Sequence, residues 1–112
     1  MSGLNTAGLD LGDDGVAELV KGRGAKLAVL DASSNSITNE GAKALATASA
    51  LHSLRALNLM GNRVHALGVM AMQNSGFMAQ LEFLGLSQNP LKDDTKQELV
   101  RDAEKPGLVL KL

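Results

Sequence analysis

The side chains most often used for nucleophilic, metal or proton-transfer chemistry are sparse in this sequence and do not converge. Cysteine is absent, which removes disulfides, thiolate metal ligands and a thiol nucleophile. The two histidines, His52 and His65, fall at non-equivalent places, one ahead of a strand-like run and one ahead of a helical run. A shared metal or a proton relay needs such rings to face each other, so surface or capping roles are expected for both. Asp13-Asp14 and Asp93-Asp94 are acidic pairs at the expected starts of helices, where carboxylates complement the positive end of the helix dipole. Lys21-Gly22-Arg23-Gly24 has the composition of a small anion-binding nest, yet lacks the spacing and the Lys-Ser/Thr ending of a phosphate loop. A helix stop at Gly22 followed by a flexible link is the simpler expectation. No Ser-His-Asp order, carboxylate pair or metal-ligand spacing emerges. No catalytic residue, metal or cofactor is therefore assigned, and the chemistry left to the chain is recognition.

The composition narrows what is recognised. With 11 Lys and Arg against 12 Asp and Glu, the net charge of -1 supplies none of the one-signed field that non-specific nucleic-acid or anionic-membrane binding needs. Two Phe are the only aromatics, too few to form a platform for stacked bases. The longest apolar run, Ala66 to Met72, is far short of the roughly 20 residues of a bilayer span. The start, Met1-Ser2-Gly3-Leu4-Asn5, has neither a basic nor an apolar block of the secretory kind. At 112 residues and 45% hydrophobic content the chain is expected to form one domain with a real core, in a cytoplasmic setting, with no nucleic acid and no membrane as partner.

What must position any binding surface is a repeat. Leu27-Ala28-Val29-Leu30-Asp31-Ala32-Ser33-Ser34-Asn35 aligns with Leu54-Arg55-Ala56-Leu57-Asn58-Leu59-Met60-Gly61-Asn62 and with Leu81-Glu82-Phe83-Leu84-Gly85-Leu86-Ser87-Gln88-Asn89, each block 27 residues after the last. A branched apolar residue follows two places on, at Ile37, Val64 and Leu91, and in the first two blocks Gly41 and Gly68 come four places later. Alternating Leu30/Ala32, Leu57/Leu59 and Leu84/Leu86 predict short parallel strands with one face inward. Stacked Asn35, Asn62 and Asn89 predict a ladder of amides satisfying backbone groups where each chain turn leaves the sheet. Residues 39–51, 66–78 and 93–104 predict helices, with Leu45, Met72 and Leu99 inward. Residues 1–26 are a degenerate terminal copy, 27–53, 54–80 and 81–107 are full repeats, and 108–112 is a terminal edge strand whose register the sequence leaves ambiguous by one residue.

The pattern L-x-x-L-x-L-x-x-N-x-L resembles that of leucine-rich repeats. Its 27-residue length and the Gly-Ala-Lys-Ala-Leu-Ala stretch at 41–46 look like the helix-containing subclass of ribonuclease inhibitor and Ran GTPase-activating proteins. The resemblance implies an α/β leucine-rich repeat solenoid, a right-handed β-α superhelix with short parallel strands on a concave face and helices on the convex one. It also implies a non-enzymatic module binding a protein or peptide partner on that concave face. Two alternatives come with it: stimulation of nucleotide hydrolysis by a small GTPase, or service as the recognition part of a larger receptor, ubiquitin-ligase subunit or bacterial effector.

The partner-binding candidates are the strand residues between the buried leucines: Val29, Asp31, Ser33, Ala56, Asn58, Met60, Phe83 and Ser87, with Arg55 and Glu82 at the strand entrances. Phe83 stands out, because large aromatic anchors concentrate interface energy. Its alternatives are cover by a missing part of a longer chain or by a second copy. Met70, aligned with Lys43 and Gln97, is an outward convex position. The helix from Lys92 to Lys105, broken by Pro106-Gly107, has the polarity of a terminal cover. The apolar end strand at 108–112 leaves two states open, a monomer excised from something longer or an edge-paired homodimer.

Overall fold

A computed structural model of the chain describes residues 2–23, 26–103 and 108–112. Five strands, β1 (Ser2–Asn5), β2 (Leu27–Asp31), β3 (Ala56–Asn58), β4 (Phe83–Gly85) and β5 (Val109–Lys111), form one parallel sheet in sequence order. Between them run α1 (Gly12–Arg23), α2 (Asn39–Thr47), α3 (Ala66–Asn74), α4 (Phe77–Gln80) and α5 (Asp93–Ala103). Strand and helix thus alternate as the repeat requires.

The register repeats with the sequence. Leu30 pairs with Leu4 on one side and Leu57 on the other, then Leu57 with Leu84 and Leu84 with Leu110. The last pairing settles the position of β5. These leucines point into one core with Leu27, Leu54, Leu81, Ala32, Leu59 and Leu86, and the helices close it with Leu45, Met72 and Leu99, all three fully buried. Helices are about 10 Å wide and strands only about 4.8 Å apart, so a stack that seats both curves with the sheet inside.

Two of the expected helices are shorter than the apolar pattern suggests. α2 ends at Thr47, Ala48 is extended (φ -76°, ψ 106°), and a 3₁₀ turn over Ser49–Leu51 carries the chain back toward β3. α3 ends at Asn74 and the chain reverses at Gly76, whose φ of 78° is left-handed, before α4. In both repeats a 13-residue helix would overshoot the next strand, so closure of the repeat overrides local propensity. At the other end of the chain α1 runs through Gly22 to Arg23, so Gly22 does not stop it; Gly24, in the same Gly-rich stretch, lies outside the described residues. The same holds for Glu104, Lys105 and Pro106-Gly107.

Asn35 and Asn62 are buried and their amides are used fully. Asn62 Nδ2 donates to the carbonyls of Ala32 (3.1 Å), Leu59 (3.0 Å) and Met60 (3.3 Å), while its Oδ1 accepts from the amides of Asn35 (2.9 Å) and Ile37 (3.0 Å). Asn35 reaches back to the carbonyl of Thr6 (2.8 Å) and Asn89 to that of Leu59 (2.8 Å). The expected ladder is therefore present, each rung tying one turn to the turn before it.

Candidate functional site

Alternation along each strand gives the sheet a second face. Its rows follow the strand register: Gly3, Val29, Ala56, Phe83 and Val109 form one row, and Asn5, Asp31, Asn58, Gly85 and Lys111 the next. In the leucine row between them Leu30, Leu57 and Leu84 are buried, whereas Val29 is 38% and Val109 61% exposed. The first row is thus a continuous apolar stripe crossing the sheet.

Phe83 is half-buried rather than fully outward, and its neighbours explain why. A Cβ on Gly85 would stand 3.3 Å from Phe83 Cε2, 3.3 Å from Met60 Cγ and 2.8 Å from Asn58 Oδ1. The absence of a side chain at Gly85 is what lets the ring and Met60 lean together over the strand. The pair makes a low apolar ridge at the middle of the face.

The polar row is partly committed to the chain itself. Asp31 Oδ1 accepts from the Ser33 amide (3.0 Å) and hydroxyl (2.7 Å), and Asn58 Oδ1 accepts from the Met60 amide (3.0 Å). Each closes a small turn where the strand ends. Arg55 and Glu82 are exposed at the strand entrances. The Arg55 guanidinium donates to the carbonyls of Leu54 (3.1 Å) and, more weakly, His52 (3.4 Å). Among the described residues the only ion pair is Lys21 with Glu18 on α1, so Arg55, Glu82, Asp31 and Lys111 keep their charges unpaired. All ten sequence-predicted binding residues therefore lie on or beside one face. Ser87 is half-buried at its margin, in the row of Ser33 and Met60.

Other candidates disperse. His52 sits after the 3₁₀ turn with its Nδ1 3.2 Å from Ser53 Oγ, and His65 precedes α3 with its Nδ1 3.0 Å from the Arg63 carbonyl. Asp13 does more than complement the dipole of its own helix. Its carboxylate accepts from the amide of Thr38 (2.7 Å) and from the Thr38 hydroxyl, fixing the start of α2 from the preceding repeat. Asn39 does the same one repeat later, accepting from the amides of His65 (2.7 Å) and Gly68 (3.1 Å). This second ladder was missed in the sequence. The signal was the recurrence of an Asp or Asn two residues before a glycine, Asp13 before Gly15 and Asn39 before Gly41. A cleft of about 650 Å³ lies between α3 and α5, lined by Gln73, Met78, Leu81, Glu98, Arg101 and Asp102 and crossed by a Gln73 to Asp102 hydrogen bond of 2.6 Å. No helix among the described residues is long and apolar enough to cross a membrane.

Sheet order, repeat register and the uncovered strand face together define an α/β leucine-rich repeat solenoid. Residues 25–46 and 50–72 match the family model described as Leucine Rich repeat, one match on each of two successive turns. No curated protein matches the chain. Proteins built from leucine-rich repeats are generally protein-interaction modules and typically non-enzymatic.

Proposed function

We propose that the chain is a non-enzymatic binding module that takes a protein or peptide partner on the open face of its sheet, with Phe83 as the anchor. The observation that carries this reading is the apolar stripe from Val29 through Ala56 and Phe83 to Val109, uncovered on a sheet whose other face is sealed. Arg55 and Glu82 flank it on one side, Asp31 and Asn58 on the other, so an apolar centre with a polar rim is in place. The 27-residue period with a helix in every full repeat supports the ribonuclease-inhibitor-like subclass as its kind.

Phe83→Ala tests the anchor. The variant leaves the leucine core untouched and so is expected to fold, while affinity for proteins retained by the wild-type chain falls by about 30-fold, the equivalent of ~2 kcal/mol for an aromatic anchor. A folded variant that retains the same partners at unchanged affinity refutes the assignment.

A further inference from the structure

The charges on the open face are arranged as a palindrome. Counting across the stack, Arg55 enters β3 and Glu82 enters β4, the two middle strands of β2 to β5. In the polar row the outer strands carry Asp31 on β2 and Lys111 on β5. Reversing the strand order therefore exchanges a positive for a negative charge at both places. Resting on the reading of this face as a protein-binding surface, we propose that its partner is a second copy of the chain, the two open faces stacked about a two-fold axis that runs parallel to the strands between β3 and β4.

Such an axis keeps each row over the same row and lays β2 over β5 and β3 over β4 of the other copy. Arg55 then faces Glu82, and Asp31 faces Lys111, each pair formed twice. In the apolar row Val29 faces Val109, and bulky Phe83 faces small Ala56. The curvature leaves a hollow between two such faces at their centre, which is where Phe83 and Met60 stand. Shifting the axis onto β3 or onto β4 sets Arg55 against Arg55 or Glu82 against Glu82. The charges thus select one placement, and none of the four has an ionic partner among the described residues.

The contact is small. Four overlapping strands about 4.8 Å apart span roughly 15 Å, and three outward rows about the same, so the buried area falls below the ~800 Å² per partner of a standard interface. The association is accordingly weak and reversible, with dissociation constants on the order of 0.1 mM. Rim charges at this distance are screened by salt, so low ionic strength favours it.

Sedimentation equilibrium between about 10 μM and 1 mM at low ionic strength reads the pairing in wild type, Arg55→Glu and Glu82→Arg. Both substitutions are at exposed positions and spare the core. Wild type is expected to shift from monomer to dimer. Each single variant sets like charges together twice and is expected to associate at least tenfold more weakly. An equimolar mixture of the two variants restores opposite charges at both places and is expected to recover the dimer as a mixed species. A wild type that stays monomeric overturns the pairing, as do single variants that dimerise like wild type or a mixture that stays monomeric. Each of these leaves the binding of a different protein to be judged by the Phe83→Ala comparison, whose readout is affinity rather than self-association.

Discussion

Replacing Asn62 by Ala removes the middle rung of the amide ladder. The side chain is 5% exposed and serves five backbone groups: three carbonyls that accept from Nδ2 and two amides that donate to Oδ1. Leu59 and Met60 share their donor within the same turn, whereas the amides of Asn35 and Ile37 belong to the preceding repeat. An unsatisfied buried group costs ~1–3 kcal/mol, and water reaches part of this site once the side chain is truncated, so a loss of about 3–5 kcal/mol is expected rather than the full sum. That is a large part of the ~5–15 kcal/mol that holds such a domain together. Urea unfolding followed by circular dichroism reads it. With a slope of ~1–3 kcal/mol/M, the midpoint falls by at least about 1 M at unchanged slope. Asn89→Ala, at a half-buried rung with one amide to serve, is expected to lose less. A loss below ~1 kcal/mol for Asn62→Ala, or a larger loss for Asn89→Ala, refutes the account of the ladder as a tie between turns.

Three further outcomes follow from local geometry. Gln88 holds a left-handed φ of 61° at the position where Gly61 has 69°, so Gln88→Gly is expected to raise stability by ~0.5–1 kcal/mol, measured as the urea midpoint. Leu67 and Met70, 69% and 47% exposed on α3, lie outside the buried core, and Leu67→Glu with Met70→Glu is expected to change stability by no more than ~0.5 kcal/mol, read from the thermal midpoint. A Cβ on Gly68 would stand 2.8 Å from Asn39 Oδ1 and 2.9 Å from Val64 Cγ1, so Gly68→Ala costs ~1–3 kcal/mol, and in a double-mutant cycle with Asn39→Ala the losses fall short of their sum by at least ~0.5 kcal/mol.

Strand positions and core leucines were legible because period-two alternation and a 27-residue period coincide, and a one-residue slip would have turned every buried leucine outward. The helix ends were less so. Ala48 is an excellent helix former placed in extended backbone, and nothing local in Ala46-Thr47-Ala48-Ser49-Ala50 announces the break; only the need to reach β3 imposes it. Gly76 did carry a signal, since a glycine inside an apolar helical pattern marks a stop as readily as a kink. The half-buried state of Phe83 was hidden because it depends on Gly85, two residues along the same strand, and on Met60 from the neighbouring repeat. Register alone brings that third residue into reach.

The same register separates positions that serve the stack from positions free to serve a partner. Where an Asp or Asn precedes by one repeat, the helix start carries a glycine: Asp13 with Gly41, and Asn39 with Gly68, where a Cβ would collide with the acceptor of the previous turn. At the next step Ala66 offers no acceptor and Thr95 takes the glycine's place. The two positions have changed together, as they must if the glycine exists to admit the polar group rather than to loosen the helix. The amide ladder has the same character, since its donors and acceptors are consumed inside the stack. Arg55, Glu82, Val29 and Val109 have no such duty: they vary in size and charge from turn to turn while their strand neighbours Leu30, Leu57, Leu84 and Leu110 do not. Variation confined to one face of an otherwise repeated frame leaves specificity to that face, which is why the test of function turns on Phe83 and the paired charges and not on the ladder.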